Sequence, residues 1–406
     1  MEIKLVGVSK PIGEKDSPLF VDYDTIDTVL EDSTPEEKTK SINALKRFTQ
    51  NFTRICYSQY GWNELAKEEF NEGLIDGRVL PSKHHSVFEH VWLNFYLDGI
   101  PKLGAMVLNN EKQYVTSEKS ARYTQMKGLP EVQKELYDKW MDKLIPMIAD
   151  FYPKGMDLET REAAIKKLSQ ENARYMTSVF TPTKMGYTVN LRQLNFLVDE
   201  FKKGEVKYCS SDLESKLLPW MEDFASKTDS LKIKGLEHKY CKELSLFGDR
   251  KVEEHFGDSY STSYLMSFAG LAQAHRHRTL NYHVSDGTQL DSPLGFFVPK
   301  IVRVNRKTGE WIDDLKKVAK EDFPQAQLLE VNERGIIEDF KLKTTERICG
   351  HAQYEIMRNT VATARKYGQY KEEFGENYDK PKCAENPKYC AGACVWGKNK
   401  ATSRLF

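Results

Sequence analysis

Residues 91–98 alternate strictly: Val91, Leu93, Phe95 and Leu97 interleave with Trp92, Asn94, Tyr96 and Asp98. A period of two reads as an extended strand with one buried face. A different period dominates elsewhere. Over Glu131–Phe151 the apolar positions Val132, Leu136, Trp140, Leu144, Met147 and Ile148 recur at helical spacing. The stretch 157–176 reads as a second helix, and 190–201 as a third, with Leu191, Leu194 and Leu197 on one face. Residues 3–8 are strand-like, 34–52 form a charged helical stretch, and a helix is expected to start at Pro101, where proline suits a first turn. Further on, the apolar run 264–271 leads into a basic cluster. The segment GFFVPKIVRV (295–304) is strand-like, and a helix is expected over 347–367. The pattern predicts an α/β (α+β) chain in which helices predominate.

Composition bounds the function. Sixty Lys and Arg balance sixty Asp and Glu across 406 residues, which argues against a bulk electrostatic hold on nucleic acid, though not against a local basic site. A 40% hydrophobic content supports a packed core and excludes wholesale disorder. The length predicts two to three domains or one large one. No window reaches the ~20 apolar residues of a membrane span. The opening MEIKLVGVSK lacks the apolar run of a secretory signal, so a cytoplasmic location is expected. Seven cysteines point to reduced thiols or a metal rather than a disulfide framework.

Three clusters could carry chemistry. The densest is His275-Arg276-His277-Arg278, at the end of an apolar segment. Four adjacent cation-forming groups there are costly unless an anion or carboxylates meet them, and arginine forks bind phosphate in a bidentate way. The plainer reading is a solvated helix end, where basic side chains complement the macrodipole. The second cluster, HHSVFEH at 84–90, suits a metal site, a general base or simply a polar loop. In the third, Ser120-Ala121-Arg122-Tyr123, Ser and Arg two apart can reach one phosphate from extended backbone. There is no Gly-x-Gly-x-x-Gly, no Walker-type loop and no Gly-x-Ser-x-Gly elbow, so Rossmann dinucleotide binding and α/β-hydrolase chemistry have no sequence support. Cys383, Cys390 and Cys394 lie within twelve residues, and Cys349 sits beside Arg347 and His351. Four thiolates would suit a structural zinc ion stapling a turn-rich tail; the alternative is that they act as small hydrophobes. Cys56, Cys209 and Cys241 read as isolated core residues.

Taken together these clusters resemble the flavin-dependent thymidylate synthase family (thymidylate synthase complementing proteins), with the motifs dealt out between two halves. The first half has HHSVFEH, SARY at 120–123, Ala173-Arg174 and Asn190-Leu191-Arg192-Gln193-Leu194. It has Asn109-Asn110-Glu111-Lys112 where the family has Arg-His-Arg, and Asp199-Glu200 where the family has a later arginine. The second half has Gln273-Ala274-His275 leading into Arg276-His277-Arg278, then Arg347 and His351-Ala352-Gln353-Tyr354-Glu355-Ile356. It lacks Ser-x-Arg-Tyr, and Asn332 and Arg334 are its best candidates for Asn-x-Arg. The matched segments cover under a quarter of the chain. The resemblance implies two family units in tandem, each a small antiparallel sheet packed with long helices, over 1–225 and 226–375, followed by a cysteine-containing tail, 376–406.

The family transfers the methylene carbon of methylenetetrahydrofolate to C5 of dUMP, with FAD as hydride donor and NADPH as the source of reducing equivalents. By resemblance, Ser120, Arg122 and Arg174 hold the nucleotide phosphate, and Gln273 and Arg276 line the nucleotide site. Arg347 is catalytic, facing the pyrimidine carbonyl. His84, Asn190, Arg192, His277 and Arg278 hold FAD. No protein cysteine attacks the pyrimidine in this family, and none of the seven here stands in the Pro-Cys-His setting of the other thymidylate synthase class. Family members are homotetramers with sites between subunits, so a homodimer of this chain is expected to mimic that tetramer, keeping one kind of complete site and abandoning the reciprocal kind. The family's Ser and Asn after Arg-His-Arg are Asn281 and His283 here. That leaves open a different product, such as a hydroxymethylated pyrimidine nucleotide, or a non-enzymatic nucleotide-binding homologue.

Overall fold

A computed structural model describes residues 1–9, 34–56, 58–65, 67–122, 124, 128–238, 243–247, 254–284, 290–291, 293–368, 378–384, 390 and 394–406. The main elements in chain order are β1 (Glu2–Val8), α1 (Pro35–Ile55), β2 (Trp92–Pro101), α2 (Lys102–Leu108), β3 (Tyr114–Glu118), α3 (Glu131–Phe151), α4 (Leu158–Ala173), β4 (Pro182–Asn190), α5 (Leu191–Phe201), α6 (Asp212–Thr228), β5 (Glu254–Phe256), β6 (Ser259–Ser267), α7 (Phe268–Ala274), β7 (Asn281–Val284), α8 (Thr308–Ala319), β8 (Leu328–Ile336), α9 (Ile337–Arg347) and α10 (Tyr354–Lys366). They fall into two compact units. One comprises residues 1–119 and 182–244, the other 120–181 and 245–406.

The first unit is built on an antiparallel sheet of order β1-β2-β4-β3. The alternation read in 91–98 is realised directly. Leu93, Phe95 and Leu97 are buried opposite Val189, Tyr187 and Met185, all also buried, while Thr188 donates to Asn94 across the other face at 2.7 Å. β2 passes at Pro101 into α2, every residue of which is buried. Gly104 lies against the Trp220 ring of α6, and a Cβ there would stand 2.8 Å from a ring carbon, so only glycine permits this approach. α5 starts where Asn190 caps it, its side chain accepting from Gln193 N at 2.8 Å.

The second unit repeats this scheme on a sheet of order β5-β6-β8-β7. β6 passes into the buried seven-residue α7 as β2 passes into the seven-residue α2, and β8 passes into the eleven-residue α9 as β4 passes into the eleven-residue α5. Helices α3 and α4 belong to this unit, although they lie in the first half of the sequence. Their apolar faces close a core with α8, in which Trp140, Leu144, Ile148 and Ile165 meet Trp311, Leu315 and Val318. The Trp140 and Trp311 rings meet edge to face at 4.6 Å, and Trp140 Nε1 donates to Asp314 at 3.0 Å. The compact units therefore do not follow the consecutive blocks 1–225, 226–375 and 376–406. Apolar burial of α3 and α4 against residues ~170 positions later overrides chain order.

Some sequence expectations are corrected. The segment 295–304 is not a strand. Phe296 makes one isolated bridge to Gln327, and Pro299 opens a short helix, Lys300–Val304. The helix expected over 347–367 starts later: α9 ends at Arg347, residues 348–353 are not helical, and α10 runs over Tyr354–Lys366. Asn332 and Arg334 lie within β8, whereas the positions matching Asn190 and Arg192 at the strand-to-helix junction are Ile336 and Glu338. Cys56 and Cys209 are exposed rather than core residues, and Cys241 lies outside the described residues. Among the described residues no helix is long and apolar enough to cross a membrane.

One buried ion pair fixes α9. Lys343 is bonded to Glu333 of β8 with both side chains fully buried, and Tyr260 and Tyr264 donate to the same carboxylate at 2.7 and 2.5 Å. Lys343→Met strands this carboxylate, so it should lower unfolding stability by roughly 3–5 kcal/mol in urea titrations; a loss below roughly 1 kcal/mol would show that the pair does not anchor the helix.

Candidate functional site

The second unit gathers arginines from both halves of the sequence. α7 is capped by Ser267, whose hydroxyl accepts from Gly270 N at 3.0 Å, and it ends directly in His275-Arg276-His277-Arg278. The basic run is thus a helix C-terminus, which suits cations. Its members alternate in exposure: His275 and His277 are buried, Arg276 and Arg278 exposed. Gln273 is buried within α7. Arg347 closes α9 one turn after Lys343, so the ion pair that pins the helix also sets where this guanidinium stands.

Arg347 Nε donates to His277 Nε2 at 2.6 Å. Burial lowers the Arg347 pKa; Glu346 opposes this, and the nearby guanidinium groups of Arg276 and Arg122 add to the lowering. Arg122 Nε is paired with Glu171, and its Nη2 donates to the His351 carbonyl at 2.9 Å. The Arg122 backbone N–H reaches Ser120 Oγ at 3.4 Å, so Ser120 and Arg122 share one turn rather than the extended backbone expected.

Arg174 opens a short 3-10 turn after α4 and is only 2% exposed. Its Nε and Nη2 are buried without a hydrogen-bond partner. Burial lowers its pKa; Tyr175 and Glu171 oppose that, Arg122 adds to it, and Glu355 opposes it. A buried guanidinium with donors unused costs several kcal/mol unless an anion completes it, and its neighbours are other cations as well as carboxylates. Ser120, Arg122, Arg174, Gln273, Arg276 and Arg347 thus belong to one unit, with electrostatic coupling running from Arg174 to Arg122 and from Arg122 and Arg276 to Arg347.

A polar network absent from the sequence expectations underlies the group. Glu355 is fully buried and accepts from Ser267 N, Ser267 Oγ and Tyr175 OH at 2.7, 2.6 and 2.7 Å. Gln353 Nε2 donates to the same Tyr175 oxygen at 2.8 Å. Burial raises the Glu355 pKa against the pull of these bonds and of Arg174. The Gln353-Tyr354-Glu355 run signalled this network; the role of Glu171 could have been suspected only from its place three residues before Arg174. A cleft of about 760 Å³ opens beside Arg122, lined also by Glu171, His351, Tyr152, Lys167 and Trp396. Arg174, Arg276 and Arg347 are not among its lining residues.

The residues expected to hold FAD are not brought together within either unit. His84, Asn190 and Arg192 belong to the first unit, His277 and Arg278 to the second. His84 is exposed, Asn190 is engaged as a helix cap, and Arg192 is buried on Glu89 and the Glu237 carbonyl. His277 is engaged with Arg347. Where Arg-His-Arg stands after α7, the first unit has Asn109 and Asn110 after α2; where Arg347 ends α9, Glu200 and Phe201 end α5. Glu200 is wholly buried among Lys203, Lys207 and Tyr208. The first unit thus has buried carboxylate and amide groups where the second has cations. The four cysteines of the tail region share one neighbourhood: Cys394 Sγ packs on Gly350, and burial together with the other three thiols raises the Cys383 pKa. Among the described residues, however, no three His, Cys, Asp or Glu are placed to hold a metal ion, so the expected zinc has no assembled ligand set.

Residues 40–200 match the family model described as thymidylate synthase complementing protein. A flavin-dependent thymidylate synthase of Thermococcus onnurineus is 28% identical over 174 residues, 39% of this chain and 67% of the relative. One from Pyrococcus furiosus is 25% identical over 170 residues, 38% of this chain and 66% of the relative. The chain therefore spans about two thirds of the length of these curated relatives. Among solved structures, Helicobacter pylori thymidylate synthase X with FAD and dUMP aligns over 48% of this chain and 90% of that one, at 19% identity and a TM-score of 0.28. The UMP/dUMP methylase PolB of Streptomyces cacaoi bound with 5-Br dUMP aligns over 48% and 76%, at 15% identity and a TM-score of 0.28. Scores of this size do not establish a shared fold.

Two outcomes follow from the site. Inorganic phosphate should raise the melting temperature of the wild-type chain, and Arg174→Met, which removes the unpartnered donors, should lose that rise. An equal rise in the variant would mean that no anion is held there. Burial, with Arg347 and Lys343 acting in the same direction, holds the His277 pKa down at about 2. The unfolded chain therefore takes up a proton below the ordinary histidine value of ~6.5 while the folded chain does not, so stability is lost as pH falls through that value. Between about pH 6.5 and 5.5 urea titrations should show wild type losing about 1 kcal/mol more than His277→Gln; parallel losses would contradict a buried neutral imidazole.

Proposed function

We propose, from the match of residues 40–200 to the thymidylate synthase complementing protein family, that this chain belongs to that family and catalyses FAD-dependent transfer of a one-carbon unit from methylenetetrahydrofolate to C5 of a pyrimidine deoxynucleotide, dUMP to dTMP. The observation that carries the reading is the buried Arg174 guanidinium with two unpartnered nitrogens, coupled electrostatically to Arg122. A phosphate dianion supplies the missing acceptors, and two guanidinium groups with the Ser120 hydroxyl suit it. Arg276 and Gln273 line the nucleotide beyond the phosphate. Arg347, held by His277, faces the pyrimidine carbonyl and stabilises negative charge as the ring is polarised toward attack from C5. With no cysteine nucleophile invoked, this chain's own contribution is positioning and electrostatics.

The expected cofactor residues form no flavin cradle within either unit, so FAD, methylenetetrahydrofolate and NADPH enter this proposal through family membership alone. The matching strand-to-helix schemes support descent of the chain from two family units in tandem. Because the first unit has Asn109, Asn110 and Glu200 where the second has its cations, each chain keeps one nucleotide site, and a homodimer has two.

The test is anaerobic turnover of dUMP and dCMP with methylenetetrahydrofolate and a reductant, with mass analysis of the product and equilibrium dialysis of the nucleotide. The expected result is a methylated deoxyuridylate and one bound nucleotide per chain. A hydroxymethylated product would redirect the reading to a changed outcome at Asn281 and His283. Nucleotide binding without turnover would leave a binding protein, and two nucleotides per chain would end the single-site proposal.

A further inference from the structure

His277 lies in the run that, by resemblance, should hold the flavin, yet its geometry assigns it elsewhere. The imidazole is buried, and its Nε2 takes the Nε–H of Arg347 at 2.6 Å. A nitrogen that accepts must carry a lone pair, so the ring proton sits on Nδ1 and the ring is neutral. The charged groups around it favour that state. Arg347 and Lys343 of α9 both oppose a second proton, and the nearest carboxylate, Glu346, is 3.9 Å away, half exposed and also near Arg347 Nη2. Protonating this ring would break its bond to Arg347 and set two cations in contact.

We propose that His277 is a positioning residue for Arg347: it fixes the guanidinium through Nε, so that the Nη edge, with Nη2 3.5 Å from the half-exposed Glu346, is the one turned to a ligand. α9 brings Arg347 into place through the Lys343–Glu333 pair, and α7 brings His277, three residues past the helix end. The single bond between them joins the C-termini of two helices that each follow a strand of the same sheet, β6 and β8. A guanidinium on an unsupported side chain samples many rotamers; one locked at Nε keeps its plane when a flat pyrimidine arrives. This inference rests on Arg347 facing the pyrimidine, as proposed above, and it withdraws His277 from the set of flavin-holding residues.

The test uses the full chain carrying its flavin, with His277→Ala, His277→Gln and Arg347→Ala compared. His277→Ala should lower kcat roughly ten- to a hundredfold, with nucleotide Kd within about threefold and flavin content per chain unchanged. His277→Gln, whose Oε1 can accept from Nε, should recover most of the loss. Flavin content falling in step with kcat in His277→Ala, or no recovery in His277→Gln, would overturn the proposal. If Arg347→Ala turns over normally, the reading of Arg347 fails and this inference fails with it. If Arg347→Ala is inactive while His277→Ala keeps full kcat, only this inference fails. A readout independent of turnover is the long-range 1H–15N spectrum of the histidine rings. One neutral, Nδ1-protonated ring should persist unchanged to about pH 5, lose its signal in His277→Gln and shift in Arg347→Ala. A spectrum in which that ring titrates near the ordinary histidine value would also overturn the proposal.

Discussion

A guanidinium buried with two unused nitrogens is the constraint around which the second unit is arranged. Arg174 cannot be relieved by deprotonation, because arginine stays charged in proteins. It cannot be relieved by water either, being 2% exposed. Glu171 is committed to Arg122, and Glu355 to Ser267 and Tyr175. The arrangement therefore keeps carboxylates close enough to offset part of the charge while leaving Nε and Nη2 of Arg174 without a hydrogen-bond partner. In the proposed site an incoming anion completes it, which would turn a stability cost into a binding preference.

The same logic extends outward from that point. Arg122 is held on both sides, by Glu171 and by the His351 carbonyl. Arg347 is held by His277 and placed by the Lys343–Glu333 pair beneath it. Arg122 and Arg347 are thus each oriented by a buried neighbour before any ligand arrives, and an electrostatic site acts through such preorganisation. In the first unit the matching positions carry Asn109, Asn110 and Glu200, the last buried against two lysines and a tyrosine. A phosphate has no cation waiting at those positions.

Much of this was legible in the residues. The alternation at 91–98 and the helical spacing over Glu131–Phe151 survive because both segments bury one clean face. Of the arginines singled out by motif, Arg122, Arg174, Arg276, Arg278 and Arg347 belong to the second unit and Arg192 to the first. What was not legible has specific causes. The run 295–304 mixes two short apolar stretches around Pro299, and short apolar runs do not distinguish strand from helix. α9 was missed because its buried face carries Lys343 and ends in Arg347, so the apolar stripe that marks a helix is interrupted by the charges that make it useful. Asn190 and Arg192 fit a cofactor motif, yet local capping and ion pairing engage them first. That α3 and α4 pack with α8 is a non-local event with no signature in either segment alone.

The central claim is that one anion-binding site per chain is made in the second unit from arginines of both sequence halves. A crystal structure with a bound pyrimidine deoxynucleoside monophosphate tests it most directly. The account predicts one phosphate per chain within hydrogen-bonding distance of both Arg122 and Arg174, with the base against Arg347. A phosphate held by residues of the first unit, with Arg174 still unpartnered, would contradict it.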